Sequence, residues 1–185
     1  MMNLKGAALS IAAAAALAGS ASADVTVPFT NVTFTGFNFT QLFNAGQLTG
    51  TLTGVSVNAV LNASVNFTYA DDLCIYVDDL PLSLGGLLQV GGFSNTGAAE
   101  RHFWANGGSD VPGTTVIDTV TLTNPLNMDT LPIAAVWLGN GYGASGTSGT
   151  WTGSVTLHGV TEIPAPGALA LLGLGGLAAA RRRRN

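Results

Sequence analysis

Between Leu61 and Tyr69 the apolar residues Leu61, Ala63, Val65, Phe67 and Tyr69 alternate with Asn62, Ser64, Asn66 and Thr68. Successive side chains of a strand point to opposite faces of its sheet, so a period of two marks a strand with one buried face. The pattern predicts a strand over 61–69 whose apolar set faces a core. A one-residue slip would turn that whole set outward.

Similar strands are read at Val25 to Phe29, Asn31 to Thr40, Gln47 to Asn58, Leu73 to Val77, Leu84 to Val90, Arg101 to Trp104, Thr115 to Thr123, Ile133 to Leu138 and Thr150 to Val160. Turn-forming clusters separate them: Asn44-Ala45-Gly46, Gly91-Gly92, Gly107-Gly108, Asn124-Pro125 and the Gly-rich run 139–149. About nine or ten short strands in a body of about 140 residues predict an all-β fold, an antiparallel β-sandwich of jelly-roll or Ig-like form. A closed barrel is the alternative. No fixed-period repeat and no βαβ rhythm is visible.

The two ends read differently from this body. At the start, Lys5 supplies a positive charge, Ala7 to Leu17 an apolar stretch, and Ala21-Ser22-Ala23 a small-residue cleavage site. Residues 1–23 are therefore expected to be a signal peptide, with Ala21 and Ala23 read by signal peptidase and Asp24 left as the mature N-terminus. At the other end, Pro164-Ala165-Pro166 breaks the chain into an exposed spacer, Gly167 to Ala180 is apolar throughout, and Arg181 to Arg184 follow. As a helix the apolar run would reach about 21 Å, against about 30 Å of hydrocarbon, so it suits transient retention better than a permanent anchor. Arginine flanks stay on the cytoplasmic side, which places the body outside.

Pro164, Ala165 and Pro166, the Leu/Gly/Ala run and the Arg181, Arg182, Arg183 and Arg184 cluster resemble the PEP-CTERM sorting signal. Ala165 stands where that family has its name-giving glutamate. The resemblance covers residues 163–185. It implies a C-terminal apolar helix, a bacterial exosortase-type enzyme acting near Pro164 to Gly167, a transient stay in the inner membrane, and an extracellular life among exopolysaccharide. In a bacterial chain the Asn-x-Ser/Thr triplets at Asn31, Asn38, Asn62 and Asn66 are products of Thr/Asn-rich strands and not glycosylation sites.

With both targeting segments set aside, the body 24–162 keeps all ten acidic residues against the single base Arg101, a formal charge of −9. Nucleic acid and anionic membranes are excluded as partners by that balance. Cys74 is the one cysteine, so no intramolecular disulfide supports the exported body. Within Leu73 to Val77 it reads as a small packed hydrophobe.

Two Asp doublets, Asp71-Asp72 and Asp78-Asp79, flank that same strand. Adjacent carboxylates at a strand end are one way to collect the oxygens Ca²⁺ requires, so these four residues are candidate calcium ligands. Seven residues of strand would set the doublets about 23 Å apart, too far to share an ion. Solvated turn acids are the competing reading. The histidines, His102 and His158, have no ligand-spaced companion, and no serine sits in a Gly-x-Ser-x-Gly elbow, so no enzyme signature emerges. Among the aromatics, Trp104, Trp137 and Trp151 are expected in the core. Tyr142, within Gly139 to Gly143, is the ring expected outside and the candidate ligand contact. These readings point to an exported, non-enzymatic surface or matrix protein, the alternative being a calcium-dependent or carbohydrate-binding module.

Overall fold

A computed structural model describes residues 24–163. The signal peptide expected over 1–23, the processing site at Pro164 to Gly167, the apolar helix and the arginine cluster lie outside them. Among the described residues nine strands form: β1 (Val25–Thr35), β2 (Phe39–Phe43), β3 (Leu48–Val65), β4 (Leu73–Val77), β5 (Leu88–Val90), β6 (Glu100–His102), β7 (Thr115–Asn127), β8 (Val136–Asn140) and β9 (Ser148–Glu162). A single 3-10 turn at Ala70–Asp72 precedes β4. Among the described residues no helix is long and apolar enough to cross a membrane.

The strands make two sheets, ordered β1-β9-β3-β7 and β2-β8-β4-β5-β6. Every pairing is antiparallel except β5 with β6, which run parallel. One apolar cluster lies between the sheets, with Leu52, Val55, Leu61, Trp151 and Leu157 from the first facing Leu73, Ile75, Leu88, Val136 and Leu138 from the second. Burying each such side chain contributes about 1.5–3 kcal/mol, and this burial is what holds a body without a disulfide. The result is an all-β, mostly antiparallel two-sheet fold, as the alternation predicts.

The outer faces of the two sheets differ. On the first, hydroxyls pair across strands, as in Thr26 with Thr156 at 2.9 Å and Thr33 with Thr150 at 2.7 Å. On the second, β4 is buried throughout because loops cover its outer side. The Tyr76 hydroxyl donates to the Ser83 carbonyl at 2.6 Å, and Gln89 Nε2 donates to the Ser94 carbonyl at 2.7 Å. A continuous apolar run such as Leu73 to Val77 is the expected sequence of a strand covered on both faces.

Several boundaries depart from the sequence reading. The runs Val25 to Phe29 and Asn31 to Thr40 are not two strands, because a bulge between Phe29 and Val32, with Asn31 at φ 49°, lets β1 continue to Thr35. Asn124-Pro125 does not end a strand but lies inside β7. β7 is an edge strand with an irregular register opposite Leu52–Gly54, and there a missing N–H is tolerated. The run from Leu84 forms a strand only at Leu88–Val90, since Gly85 at φ 77° holds a turn.

The largest correction concerns the alternation at 61–69. β3 joins it to the run before, and the register against β9 shifts between Leu61 and Ala63. That one-residue bulge inverts the faces: Thr68 and Ala70 are buried, whereas Val65 is 49% exposed, Phe67 70% and Tyr69 40%. The strand ends at Val65, and Asn66 and Phe67 both adopt left-handed backbone, φ 53° and 61°.

Candidate functional site

The inverted segment lines a cleft walled by aromatic rings. Phe67 and Tyr69, leading out of β3, meet Phe93 from the loop after β5 and Tyr142 from the loop after β8. These rings line a cleft of about 210 Å³, with Asp72 of the 3-10 turn at its base. Phe93 is 72% exposed and meets Tyr142 edge to face, ring centroids 6.0 Å apart. Tyr142, expected outside, is half-buried; the outermost rings are Phe93 and Phe67.

Each contributing loop is tied to the 3-10 turn. The Ala70 N–H donates to the Ser109 carbonyl at 3.0 Å and the Asp71 N–H to that of Gly107 at 3.2 Å. In return the Asp71 carbonyl accepts from the Gly92 N–H at 3.0 Å, and that of Asp72 from the Gly141 N–H at 2.8 Å. The Ser94 N–H donates to the Gly141 carbonyl at 2.9 Å, joining the Phe93 and Tyr142 loops directly. The Phe67 segment is held by Asn66 Nδ2, which donates to the Gly146 carbonyl at 2.9 Å, and by the Thr68 hydroxyl on the Val65 carbonyl at 3.1 Å. Asp72 is 5% exposed, and its Oδ2 accepts the Tyr69 N–H at 2.7 Å. Burial pushes its carboxyl up to about 6; the Tyr69 and Phe93 N–H groups pull it down and the neighbouring Asp71 charge adds to the rise. Burial also raises Asp71.

The four candidate calcium ligands separate as their spacing requires. Asp71 and Asp72 belong to the turn before β4, and Asp78 and Asp79 follow its other end. Asp78 Oδ2 accepts the Ser83 hydroxyl, and Asp79 is exposed. Among the described residues no three His, Cys, Asp or Glu side chains gather where a metal ion could sit. Calcium at either doublet would have to draw most of its oxygens from backbone carbonyls, neutral side chains or water.

A second constellation escaped the sequence reading. On the outer face of the first sheet, His158 Nδ1 lies 2.8 Å from Asp24 Oδ2, and His158 Nε2 lies 2.5 Å from Ser56 Oγ. The Gly159 N–H donates to Asp24 Oδ1 at 3.1 Å. The hydrogen bonds of His158 and of that N–H hold the Asp24 carboxyl below its ordinary range. His158 is thus no isolated surface residue. The order carboxylate, imidazole, hydroxyl is that of a hydrolase triad, but acyl transfer also needs backbone N–H groups aimed at an oxyanion. Ser56 sits mid-strand between Thr119 and Thr156, where the surrounding N–H groups belong to the sheet ladder. Its hydroxyl is shared further with Thr119 Oγ1 at 2.8 Å.

Glu100 pairs with His102 at 2.6 Å, while Arg101 turns elsewhere. Arg101 lies over the Phe103 ring at 4.1 Å and donates to the Phe93 carbonyl at 2.8 Å. Trp104 and Trp151 are buried, as expected, and Trp137 is half-buried; the three indoles donate to the carbonyls of Leu73, Ala70 and Asp78 respectively. Compared with family models, with curated proteins and with solved structures, the chain finds no match in any of the three.

Proposed function

We propose that the chain is an exported protein of the cell surface or extracellular matrix with a structural or adhesive, non-enzymatic role. Signal peptidase frees Asp24, the apolar run after Gly167 holds the protein briefly in the inner membrane, and an exosortase-type enzyme acts near Pro164 to Gly167. Exopolysaccharide is the surrounding in which such a body works.

The observation that carries this reading is how the first and last described strands sit in the sandwich. β1 starts at Val25 and β9 stops at Glu162, so the sandwich fills the interval between the two proposed processing points. These first and last strands pair with each other, Val25 opposite Leu157, and both ends are thereby locked into one sheet. Cutting outside them leaves the body closed. With the short β6 set aside, the orders β1-β9-β3-β7 and β2-β8-β4-β5 support the jelly-roll form of sandwich over the Ig-like one. The ladder N–H groups around Ser56 argue against acyl transfer at that hydroxyl alone.

Intact-mass measurement on protein from its native host tests the proposal. A species beginning at Asp24 and ending near Pro164 is expected. A full-length, unprocessed chain in the cytosol would sink it. Calcium at Asp71-Asp72 or Asp78-Asp79 is tested separately by calorimetry in millimolar calcium, where absence of both heat and thermal shift rejects it.

A further inference from the structure

We propose that the cleft lined by Phe67, Tyr69, Phe93 and Tyr142 over the Asp72 carboxylate binds the methylated ammonium head of a small organic cation, of the choline type. Four observations converge on it.

The first is strain. A bulky aromatic residue at positive φ is a genuine outlier, and Phe67 holds φ 61° directly after Asn66 at 53°. What this conformation achieves is an aromatic ring 70% exposed at the rim of a cleft, where folding stability has no use for it. The second is the chemistry of the lining. Four aromatic rings and one carboxylate combine the ring quadrupoles and the countercharge that attract a cation carrying no hydrogen-bond donor. A sugar ring needs several placed donors and acceptors, whereas the side chains here supply Asp72 and the phenol oxygens alone.

Charge is the third. The body carries −9, which draws cations toward it, and its single base, Arg101, is committed to the carbonyls of Gly92, Phe93 and Ser94 and to the Phe103 ring. The fourth is size and rigidity. About 210 Å³ falls below the usual span of about 300–1,000 Å³ for ligand pockets, so the cleft suits a head group and not an extended molecule. Its base is preorganised by the hydrogen bonds that fasten the Phe93 and Tyr142 loops to the Asp72 turn.

The test is titration of the full chain with choline and with tetramethylammonium, followed by calorimetry and by the NMR signals of the aromatic rings. A dissociation constant on the order of 1 mM is expected for a partly exposed cage. Phe67→Ala and Tyr142→Ala should each weaken binding about fivefold. Asp72→Asn should weaken it at least about tenfold while the protein stays folded, because this variant removes a buried charge and keeps the side-chain shape. The neutral isostere 3,3-dimethylbutanol should bind at least about tenfold more weakly than choline, since it matches shape without charge. Equal affinity for the isostere, an Asp72→Asn variant that binds choline normally, a neutral monosaccharide that occupies the cleft more tightly, or no response to either cation would each overturn the proposal.

Discussion

His158 Nδ1 and Asp24 Oδ2 stand 2.8 Å apart although 134 residues separate them in sequence. The contact fastens the first residue of the proposed mature chain to the last strand of the fold. Asp24 is held below its ordinary carboxylate range by His158 and by the Gly159 N–H. A depressed carboxyl stabilises the fold above its unfolded value and loses that contribution as pH falls through its folded value. The Asp24 carboxyl should therefore titrate below 3.8 in NMR, and Gly159 amide protection should fall as it does. His158→Ala should raise Asp24 toward its ordinary value, the Gly159 N–H still holding part of the shift. A titration unaffected by that substitution would show the contact to be absent in solution.

Ser56 should not behave as a nucleophile. Its hydroxyl reaches His158 Nε2, but an acyl intermediate would find no free pair of N–H groups beside it. Ester hydrolysis by the wild-type chain should stay within about tenfold of Ser56→Ala and of free imidazole. A burst of product stoichiometric with protein, lost in Ser56→Ala, would refute this.

Cys74 should be inert in the folded protein. It is fully buried, and burial pushes its thiol up, away from the reactive thiolate. Gly92 and Gly141 close over it: a Cβ on either would come within 3.3 and 3.1 Å of the Cys74 Cβ, respectively. Labelling by a thiol reagent should follow global unfolding and accelerate with denaturant at the slope of the full transition. Labelling at a denaturant-independent rate would mean that the loops over β4 open locally.

The strand that carries Cys74 also shows what the sequence could convey. Five consecutive apolar residues identified Leu73–Val77 to the residue, because a strand covered on both faces needs no particular register. The alternation at 61–69 misled for the opposite reason: its meaning depended on register, and a bulge beside Asn62 reversed it. No local pattern announces such a bulge, since the alternation runs unbroken through Asn62. The cleft was hidden because its rings come from three segments joined only by the loop contacts at Gly92 and Gly141. The Gly-rich surroundings of Tyr142 mark it as a candidate ligand contact, whereas nothing local marks its partners Phe67 and Phe93. The Asp71-Asp72 doublet was the accessible hint: the acids drew attention to a place where one of them proves to be buried beneath aromatic rings.

Gly91→Ala should be among the most damaging single-methyl additions. Gly91 has φ 77°, and an added Cβ would collide with Trp104 Nε1 and the Leu73 carbonyl, which are hydrogen-bonded to each other at 2.7 Å. Unfavourable backbone and loss of a buried indole bond together predict about 2–4 kcal/mol of destabilisation in denaturant titrations. Gly113→Ala makes a control, because its φ of 94° is equally unfavourable but nothing lies within 4 Å of the new methyl. Similar losses in the two variants would place the whole effect in the backbone.

Asp72 should give stability an unusual pH dependence. Its folded carboxyl titrates at about 6, against an ordinary 3.8, because it is buried beside Asp71. Between these values the folded protein keeps a proton that the unfolded chain has lost, so stability falls as pH rises through the window and levels off above it. The shift corresponds to about 2–3 kcal/mol. Asp24 and Glu100 act in the opposite sense. At Glu100 burial works to raise the carboxyl, but hydrogen bonds from His102, Thr123 and Asn124 outweigh it and hold it low. Both contributions are lost only as pH falls below the ordinary carboxylate range, so they leave the decline above it to Asp72 and, in the same sense, Asp71. Urea denaturation at steps from about pH 4 to about pH 8 should trace the decline, and Asp72→Asn should flatten it and be the more stable protein at the upper end. A saturating cation in the cleft should flatten it too, since a positive charge against the carboxylate lowers its folded value toward the ordinary one. If wild type and Asp72→Asn keep parallel profiles across this range, Asp72 is not the group responsible.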